Sequence, residues 1–213
     1  YYTNNFSSDS AGAILASSST IVSNCYFVNN RSVKYGGATF SCHVYDSVYI
    51  TNTGRYGGAT YLGSVDRCYF YGNVGTTYAG GTHKTASRNS TYIGNYSPSG
   101  GGADQGTFYN CYFKDNYSTS GGGIVVSAPA YLTNNIFINN QSVHGAAVNT
   151  GSGANIVNCI FIRNKSSQSG GIIGGKYTET TWKGTFINCL MAENSASGYA
   201  AMYGRLVTGD SVF

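Results

Sequence analysis

A short pattern of alternating apolar and polar positions recurs along the whole chain. In its fullest form it reads Asn24-Cys25-Tyr26-Phe27-Val28-Asn29-Asn30, followed by a turn and Gly36-Gly37-Ala38-Thr39. The aromatic residue or methionine at its centre serves as a marker and recurs at Phe6, Phe27, Tyr49, Phe70, Tyr92, Phe113, Phe137, Phe161 and Met191. The markers lie 21, 22, 21, 22, 21, 24, 24 and 30 residues apart. A period this short and steady is typical of a solenoid with one coil per repeat.

The pattern predicts an all-β, single-stranded parallel β-helix (β-solenoid) of about nine coils of 21–30 residues, forming one domain over residues 1–213. At roughly 4.8 Å per coil, the rod would be on the order of 40 Å long. The interior is expected to hold the markers, a cysteine column and the apolar column Val22, Val44, Val65, Phe108, Leu132, Ile156 and Phe186. We expect a stack without polar caps, which is either a segment of a longer protein or a filament subunit.

Two asparagine columns have separate explanations. Asn24, Asn89, Asn110, Asn134, Asn158 and Asn188 lie where the chain must bend sharply, and asparagine tolerates the left-handed conformation that such a bend requires. Asn30, Asn52, Asn73, Asn95, Asn116, Asn140, Asn164 and Asn194 end a strand. Amides stacked in that position can hydrogen-bond from coil to coil.

Composition agrees with strands and disfavours helices. Only 9% of residues are charged, whereas the chain has 30 Gly and 20 Tyr. Strong helix formers other than alanine are scarce, and Tyr, Thr, Val and Ile favour strands. The formal net charge of +4 comes from scattered residues without a Lys/Arg run, so we expect no nucleic-acid partner. No apolar stretch reaches 18 residues, so no membrane insertion by this segment is expected.

The repeats resemble those of the chlamydial polymorphic outer-membrane proteins and the adhesin-like surface proteins of methanogenic archaea. The Phe-x-x-Asn motif is intact at Phe27-Asn30, Phe70-Asn73, Phe113-Asn116, Phe137-Asn140 and Phe161-Asn164. The Gly-Gly-Ala motif occurs at Gly36, Gly57 and Gly101, with looser copies at Gly122, Gly145 and Gly170. The resemblance covers nearly the whole chain and implies a right-handed β-helix with an extracellular, cell-surface, adhesive or structural role.

Acidic residues give little support for catalysis, although β-helices also include enzymes that cleave polysaccharides. Register predicts ion pairs of Asp46 with Arg67, Asp66 with Arg88 and Glu193 with Arg163, which leaves five acids that do not converge. No catalytic site, cofactor or enzymatic activity is therefore expected.

Histidines and cysteines also favour a structural explanation. His43, His83 and His144 are interpreted as solvated turn residues, and no metal site is expected. Cys25, Cys68, Cys111, Cys159 and Cys189 share one interior column and are mostly two coils apart, too far for a disulfide, so they are expected to be buried thiols. A Cys159–Cys189 bridge stays open because these residues occupy consecutive coils. Cys42 is expected to be a packed thiol.

Seven Asn-x-Ser/Thr sequons are candidates for N-glycosylation, and they begin at Asn5, Asn30, Asn89, Asn95, Asn116, Asn140 and Asn164. The turn function of the second asparagine column is a competing explanation, because Asn52, Asn73 and Asn194 occupy that column without a sequon.

The outward side of the marker strand is the most informative functional feature. Of the sixteen residues that flank markers 27 to 191, only Thr91 and Lys114 are polar. A solvated sheet face would alternate with polar residues. The interface candidates are Tyr26, Val28, Ile50, Tyr69, Tyr71, Ile93, Tyr112, Ile136, Ile138, Ile160 and Ile162. This face predicts packing against another copy of the chain, laterally or end to end, or against other surface proteins.

Three alternatives remain at this point. A carbohydrate-binding or pectin-lyase-like, polysaccharide-cleaving β-helix would use tyrosines to bind host or cell-wall glycans. The irregular segment with Lys176, Glu179 and Trp182 is either a discrete ligand loop or a tolerated insertion. An ice-binding array is disfavoured, because the expected column that starts with Thr39 and Thr60 continues as His83, Asp104, Val125 and Val148.

Overall fold

The computed structural model describes residues 1–127, 130–150, 154–174, 183–198 and 205–208. Within them the chain forms strands and no helix, and every strand pairing is parallel. The strands stack into three sheets that make a β-solenoid of about eight turns. The predicted fold class is confirmed, and the arrangement is consistent with a right-handed parallel β-helix.

The first sheet contains the marker positions. Its strands are Tyr2–Thr3, Tyr26–Val28, Val48–Ile50, Tyr69–Tyr71, Thr91–Ile93, Tyr112–Lys114, Ile136–Ile138, Ile160–Ile162 and Leu190–Ala192. The second sheet follows it in each coil. Its strands are Phe6–Ser7, Arg31–Ser32, Thr53–Tyr56, Val74–Tyr78, Tyr96–Ser99, Tyr117–Ser120, Gln141–His144, Lys165–Ser169 and Ser195–Ala196.

The third sheet closes each coil and is bent, so most coils contribute two strands to it. Its strands are Ile14–Leu15, Ile21–Ser23, Thr39–Tyr45, Thr60–Asp66, Thr82–His83, Ala86–Arg88, Ala103–Asp104, Thr107–Tyr109, Ile124–Val126, Ala130–Thr133, Val148–Thr150, Ala154–Val157, Ile173–Gly174, Lys183–Ile187 and Arg205–Thr208.

The aromatic markers form a continuous stack through the interior. From Tyr2 to Phe161, adjacent rings are 4.6–5.1 Å apart with interplanar angles of 2–15°. This spacing matches the distance between parallel strands, so each coil places its ring directly on the next. Phe27, Phe70, Phe113, Phe137 and Phe161 are completely buried. Burial of this stack is the main apolar contribution to stability.

The two buried tyrosines of the stack, Tyr49 and Tyr92, have polar partners for their hydroxyl groups in the core. The Tyr49 hydroxyl lies 3.1 Å from Thr39 Oγ1. The Tyr92 hydroxyl donates to Ser87 Oγ at 2.8 Å and lies 3.2 Å from Thr82 Oγ1. Ser87 therefore interrupts the predicted apolar column because it satisfies a buried tyrosine.

The second asparagine column is an amide ladder inside the rod. Asn52 Nδ2 donates to Asn73 Oδ1 and to the Phe27 carbonyl, both at 2.9 Å. The Asn52 Oδ1 accepts from the backbone and side-chain nitrogens of Asn30. Asn30 through Asn164 repeat this arrangement and are completely buried. The predicted coil-to-coil hydrogen bonds are confirmed.

The first asparagine column forms the sharp corner that precedes the first sheet. Asn24, Asn89, Asn110, Asn134, Asn158 and Asn188 have φ between 48° and 57°. Asp46 and Arg67 occupy the same corner with φ of 49° and 52°. The predicted left-handed bend is confirmed, and it reverses the side-chain alternation so that both flanking positions face inward.

Two register predictions were wrong. Phe6 is not the first marker: Tyr2 pairs with Phe27, whereas Phe6 pairs with Arg31 in the second sheet and is 62% exposed. The predicted column of Thr60, His83, Asp104, Val125 and Val148 is also wrong at two steps. Thr60 pairs with Thr82 while Tyr61 pairs with His83, and Val148 pairs with Ile124 while Val125 pairs with Asn149. A shift of one residue moves a side chain to the other face of the sheet.

Candidate interaction surfaces

The apolar strip is the outward surface of the first sheet, formed by the residues that flank the buried markers. Its apolar members are Tyr26, Val28, Val48, Ile50, Tyr69, Tyr71, Ile93, Tyr112, Ile136, Ile138, Ile160, Ile162, Leu190 and Ala192. All are exposed or half-buried, so the predicted pleat is correct. Parallel pairing arranges them in two columns along the rod. Their role as an interface stays a prediction.

A pocket of about 280 Å³ lies on the outward side of the third sheet. Register places Arg88, Tyr109 and Thr133 in one column across three coils, and Thr107 and Tyr131 line the pocket beside them. Tyr109 is 48% exposed and Tyr131 is 64% exposed. Asn134 Nδ2 donates to the Tyr109 hydroxyl at 3.4 Å. The outward side chains of the pocket are two tyrosines, two threonines and one arginine, and the buried residues Ser87 and Phe108 also line it.

A second pocket, of about 510 Å³, adjoins the first. It is lined by Lys84, Gln105 and Gly106, and both pockets share Thr107. Because one residue lines both, the two pockets are neighbours on the third sheet, and we call them together the tyrosine groove. Its residues do not belong to the apolar strip.

The corner between the second and third sheets carries an aromatic cluster around a buried histidine. Tyr35, Tyr56 and Tyr78 stack on one another along the second sheet at 5.3 and 5.5 Å. On the third sheet His83 stacks against Tyr61 at 5.4 Å, and it also stacks against Tyr78 at 5.5 Å. These rings reduce the exposure of His83 to 3%.

His83 and Asp104 are register neighbours and form a buried polar pair. His83 Nδ1 lies 3.8 Å from Asp104 Oδ1, too far for a hydrogen bond, and neither atom has another partner among the described residues. Asp104 Oδ2 accepts a hydrogen bond from Ser99 Oγ at 2.8 Å. Burial raises the pKa of Asp104 to about 6, against the lowering effects of Ser99 and Lys84. Burial, together with the Lys84 charge, lowers the pKa of His83 to about 4.

The interpretation of the three histidines as solvated turn residues was wrong. His83 is buried, while His43 and His144 are half-buried strand residues. The Nδ1 atoms of His43 and His144 lie 2.6 and 2.9 Å from Ser64 Oγ and Ser169 Oγ in the next coil. The expected column already placed His83 beside Asp104, but sequence reasoning missed the buried pair because His83 was interpreted as a solvated turn residue. Within the described residues, no three metal-ligating side chains cluster together.

Two of the three predicted ion pairs are present. Arg67 binds Asp46 through Nε at 2.7 Å, and Arg163 binds Glu193 at 2.6 Å. Asp66, however, pairs with Arg67 at 2.9 Å and accepts from Asn89, not from Arg88. The positive φ at Arg67 turns its side chain towards both acids. Both Asp66 carboxylate oxygens are therefore occupied.

All six cysteines are thiols. Four members of the predicted column, Cys68, Cys111, Cys159 and Cys189, are buried as predicted, whereas Cys25 in the first coil is half-buried. Serine or asparagine separates the first four members: Ser47 and Ser90 accept from the backbone nitrogens of Cys25 and Cys68. Burial raises the pKa of Cys68 and of Cys159 to about 12. Cys159 and Cys189 are not bridged in the structure, and Cys42 is buried.

The sequons fall into two structural groups. Asn30, Asn95, Asn116, Asn140 and Asn164 belong to the amide ladder, where each Nδ2 is buried and donates two hydrogen bonds. A glycan at these five positions has no room in this fold, which corrects the glycosylation prediction for them. Asn5 and Asn89 are exposed, so glycosylation there stays a prediction.

The proposed ligand loop of Lys176, Glu179 and Trp182 lies outside the described residues. No helix in the described part of the chain is long and apolar enough to cross a membrane. Comparisons with protein-family models, curated proteins and solved structures find no match. The likeness to the polymorphic outer-membrane and adhesin-like proteins therefore rests on the repeat motifs, while the β-solenoid itself is shown by the structure.

Proposed function

We propose that this chain is an extracellular structural or adhesive β-solenoid in which the apolar strip packs laterally against a second copy of the chain. The observation that carries the proposal is the strip itself. Tyr26, Tyr69 and Tyr71 are 43%, 37% and 47% exposed, and solvent reaches the isoleucine columns beyond them. What supports the placement at a cell surface is the motif resemblance.

The geometry favours a flat protein partner. Each strand offers two outward columns, so the strip is about 40 Å long and about 10 Å wide, on the order of 400 Å². Apolar patches of this size are frequently functional. Two such faces can pack at about 10 Å, as sheets do in sandwiches. An interface this small is expected to be weak for one pair of chains and to gain strength when many copies lie side by side.

Sedimentation velocity over a range of protein concentrations tests the proposal. The wild-type chain is expected to associate as concentration rises, and Ile50→Lys with Ile162→Lys is expected to suppress this association. Both side chains are half-buried and point outward, so the double variant should keep its fold. Thr76→Lys with Ser167→Lys is the matched control, because it adds the same charge at exposed positions of the second sheet.

Two results would contradict the proposal. One is a wild-type chain that stays monomeric at every concentration. The other is association that both double variants reduce equally, because added charge and not the strip would then explain it.

A second candidate function, carbohydrate binding, is favoured by the tyrosine groove, which lies on a different sheet.

A further inference from the structure

The tyrosine groove offers two cationic side chains that form no close ion pair within the described part of the chain, although the Lys84 charge acts on the buried Asp104. Arg88 and Lys84 are exposed, and neither forms an ion pair with a described residue. The nearest acid in register with Arg88 is Asp66, whose oxygens are occupied by Arg67 and Asn89. The guanidinium of Arg88 therefore lies at the pocket with its donors free for an anionic ligand.

Two tyrosine rings supply the apolar part of the same site. Tyr109 and Tyr131 line the pocket beside Arg88, from adjacent coils, and both are about half exposed or more. The face of an aromatic ring is electron-rich and attracts groups with a positive edge. A pyranose ring presents such a face of C–H bonds and carries hydroxyl groups around its rim. Thr107, Thr133 and Gln105 provide polar groups for that rim.

We propose that the tyrosine groove is a binding site for an anionic saccharide, in which Tyr109 and Tyr131 contact a sugar ring while Arg88 binds its carboxylate or sulfate group. Lys84 lies in the adjoining pocket, where it faces the anionic group of a neighbouring sugar. The combined groove is large enough for more than one ring, since pockets for small ligands begin at about 300 Å³. The inference does not rest on the apolar strip. A negative test of self-association would therefore not contradict saccharide binding, and a negative binding test would not contradict self-association.

Isothermal titration calorimetry with three probes tests the site and distinguishes the anionic groups. Oligogalacturonate presents carboxylates, dextran sulfate presents sulfates, and dextran is the neutral control. At least one anionic probe is expected to bind, with dextran binding absent. Arg88→Gln is expected to weaken binding about tenfold or more, because a charge-assisted hydrogen bond is lost. Tyr131→Ala is expected to weaken it by a similar factor.

The matched controls are Lys165→Gln and Tyr117→Ala, which likewise remove one positive charge and one tyrosine ring, at exposed positions of the second sheet. They are expected to bind as the wild type does. Saturation-transfer NMR on the wild-type chain gives a readout that needs no variant: transfer from aromatic protons to the ring protons of the bound sugar is expected.

The proposal is overturned if neither anionic probe binds, or if the groove variants and the controls lose affinity equally, which would indicate non-specific attraction to a basic protein. Absence of transfer from aromatic protons to a probe that does bind would also overturn it.

Discussion

The first and third sheets have the same architecture, but their outward surfaces differ in chemistry. In both, parallel strands from successive coils place apolar side chains inward, and the inward columns are buried. Outward, the first sheet carries apolar side chains almost without interruption, mostly isoleucine and tyrosine. The third sheet carries Arg88, Thr107, Tyr109 and Thr133 around a pocket. The inward columns therefore maintain the fold, and the outward faces are free to differ in chemistry.

The largest loss of stability is expected when an inward ring is removed. Phe113 is completely buried between Tyr92 and Phe137, so Phe113→Ala is expected to lower the free energy of unfolding by about 3–5 kcal/mol. Its outward neighbour Tyr112 is half-buried, and Tyr112→Ala is expected to cost about 1 kcal/mol. Urea unfolding followed by circular dichroism measures both. Equal losses would show that the inward column does not dominate stability.

The amide ladder is expected to be nearly as sensitive. Asn95→Ala removes the acceptor of Asn73 N and Nδ2 and the donor to the Phe70 carbonyl, all buried. Unsatisfied buried groups are costly, so a loss of about 3 kcal/mol is expected. Asn139→Ala, at an exposed left-handed position, is expected to cost about 1–2 kcal/mol. A loss no larger for Asn95 than for Asn139 in urea unfolding would contradict a structural role of the ladder.

Asp104 is an exception among the outward positions of the third sheet, because it is polar and buried. A carboxyl whose folded pKa is raised from 3.8 to about 6 loses stability as pH rises through that range, by up to about 3 kcal/mol. Asp104→Asn is therefore expected to raise the free energy of unfolding by up to this amount at pH 8. The gain should disappear as pH falls towards 4, where the wild-type carboxyl is protonated.

His83 makes the free energy of unfolding depend on pH in the opposite direction. Its folded pKa of about 4 lies below the ordinary 6.5, so its contribution to stability is lost as pH falls through that range. The two slopes oppose each other between pH 4 and 6, and wild-type stability is expected to be nearly flat there. Thermal unfolding from pH 4 to 8 measures this profile. An Asp104→Asn gain that is independent of pH would rule out the carboxyl charge as its cause.

The smallest effects are expected for outward substitutions on both sheets. Ile93→Thr in the apolar strip and Tyr109→Thr in the tyrosine groove are each expected to change the free energy of unfolding by less than about 1 kcal/mol. Urea unfolding checks this, and a large loss at either position would mean that the outward face also maintains the fold. Although stability is retained, Ile93→Thr is expected to weaken self-association and Tyr109→Thr is expected to weaken saccharide binding.

Periodicity made most of the fold predictable, because a solenoid repeats one local solution. Residues with a single structural explanation, such as Phe113 and Asn116, were placed correctly from spacing alone. The spacing predicted the wrong marker residue for the first coil. Phe6 lies 21 residues before Phe27, one typical period, yet the first coil is longer and begins its marker column at Tyr2. Thr82 follows Thr60 by 22 residues, an ordinary period, whereas the expected column took His83, one residue further along.

Sequence alone was sufficient to predict the coil, its inward columns, the left-handed asparagine corners and the apolar character of the strip. Each of these features follows from a local alternation that is repeated at a fixed period. Only the tertiary structure decided which side chains of different coils meet. It buried His83 together with Asp104, left Arg88 without Asp66, and placed Tyr109 and Tyr131 beside one pocket. A one-residue change in register exchanges the two faces of a strand, so contacts between coils depend on loop lengths that periodicity does not specify.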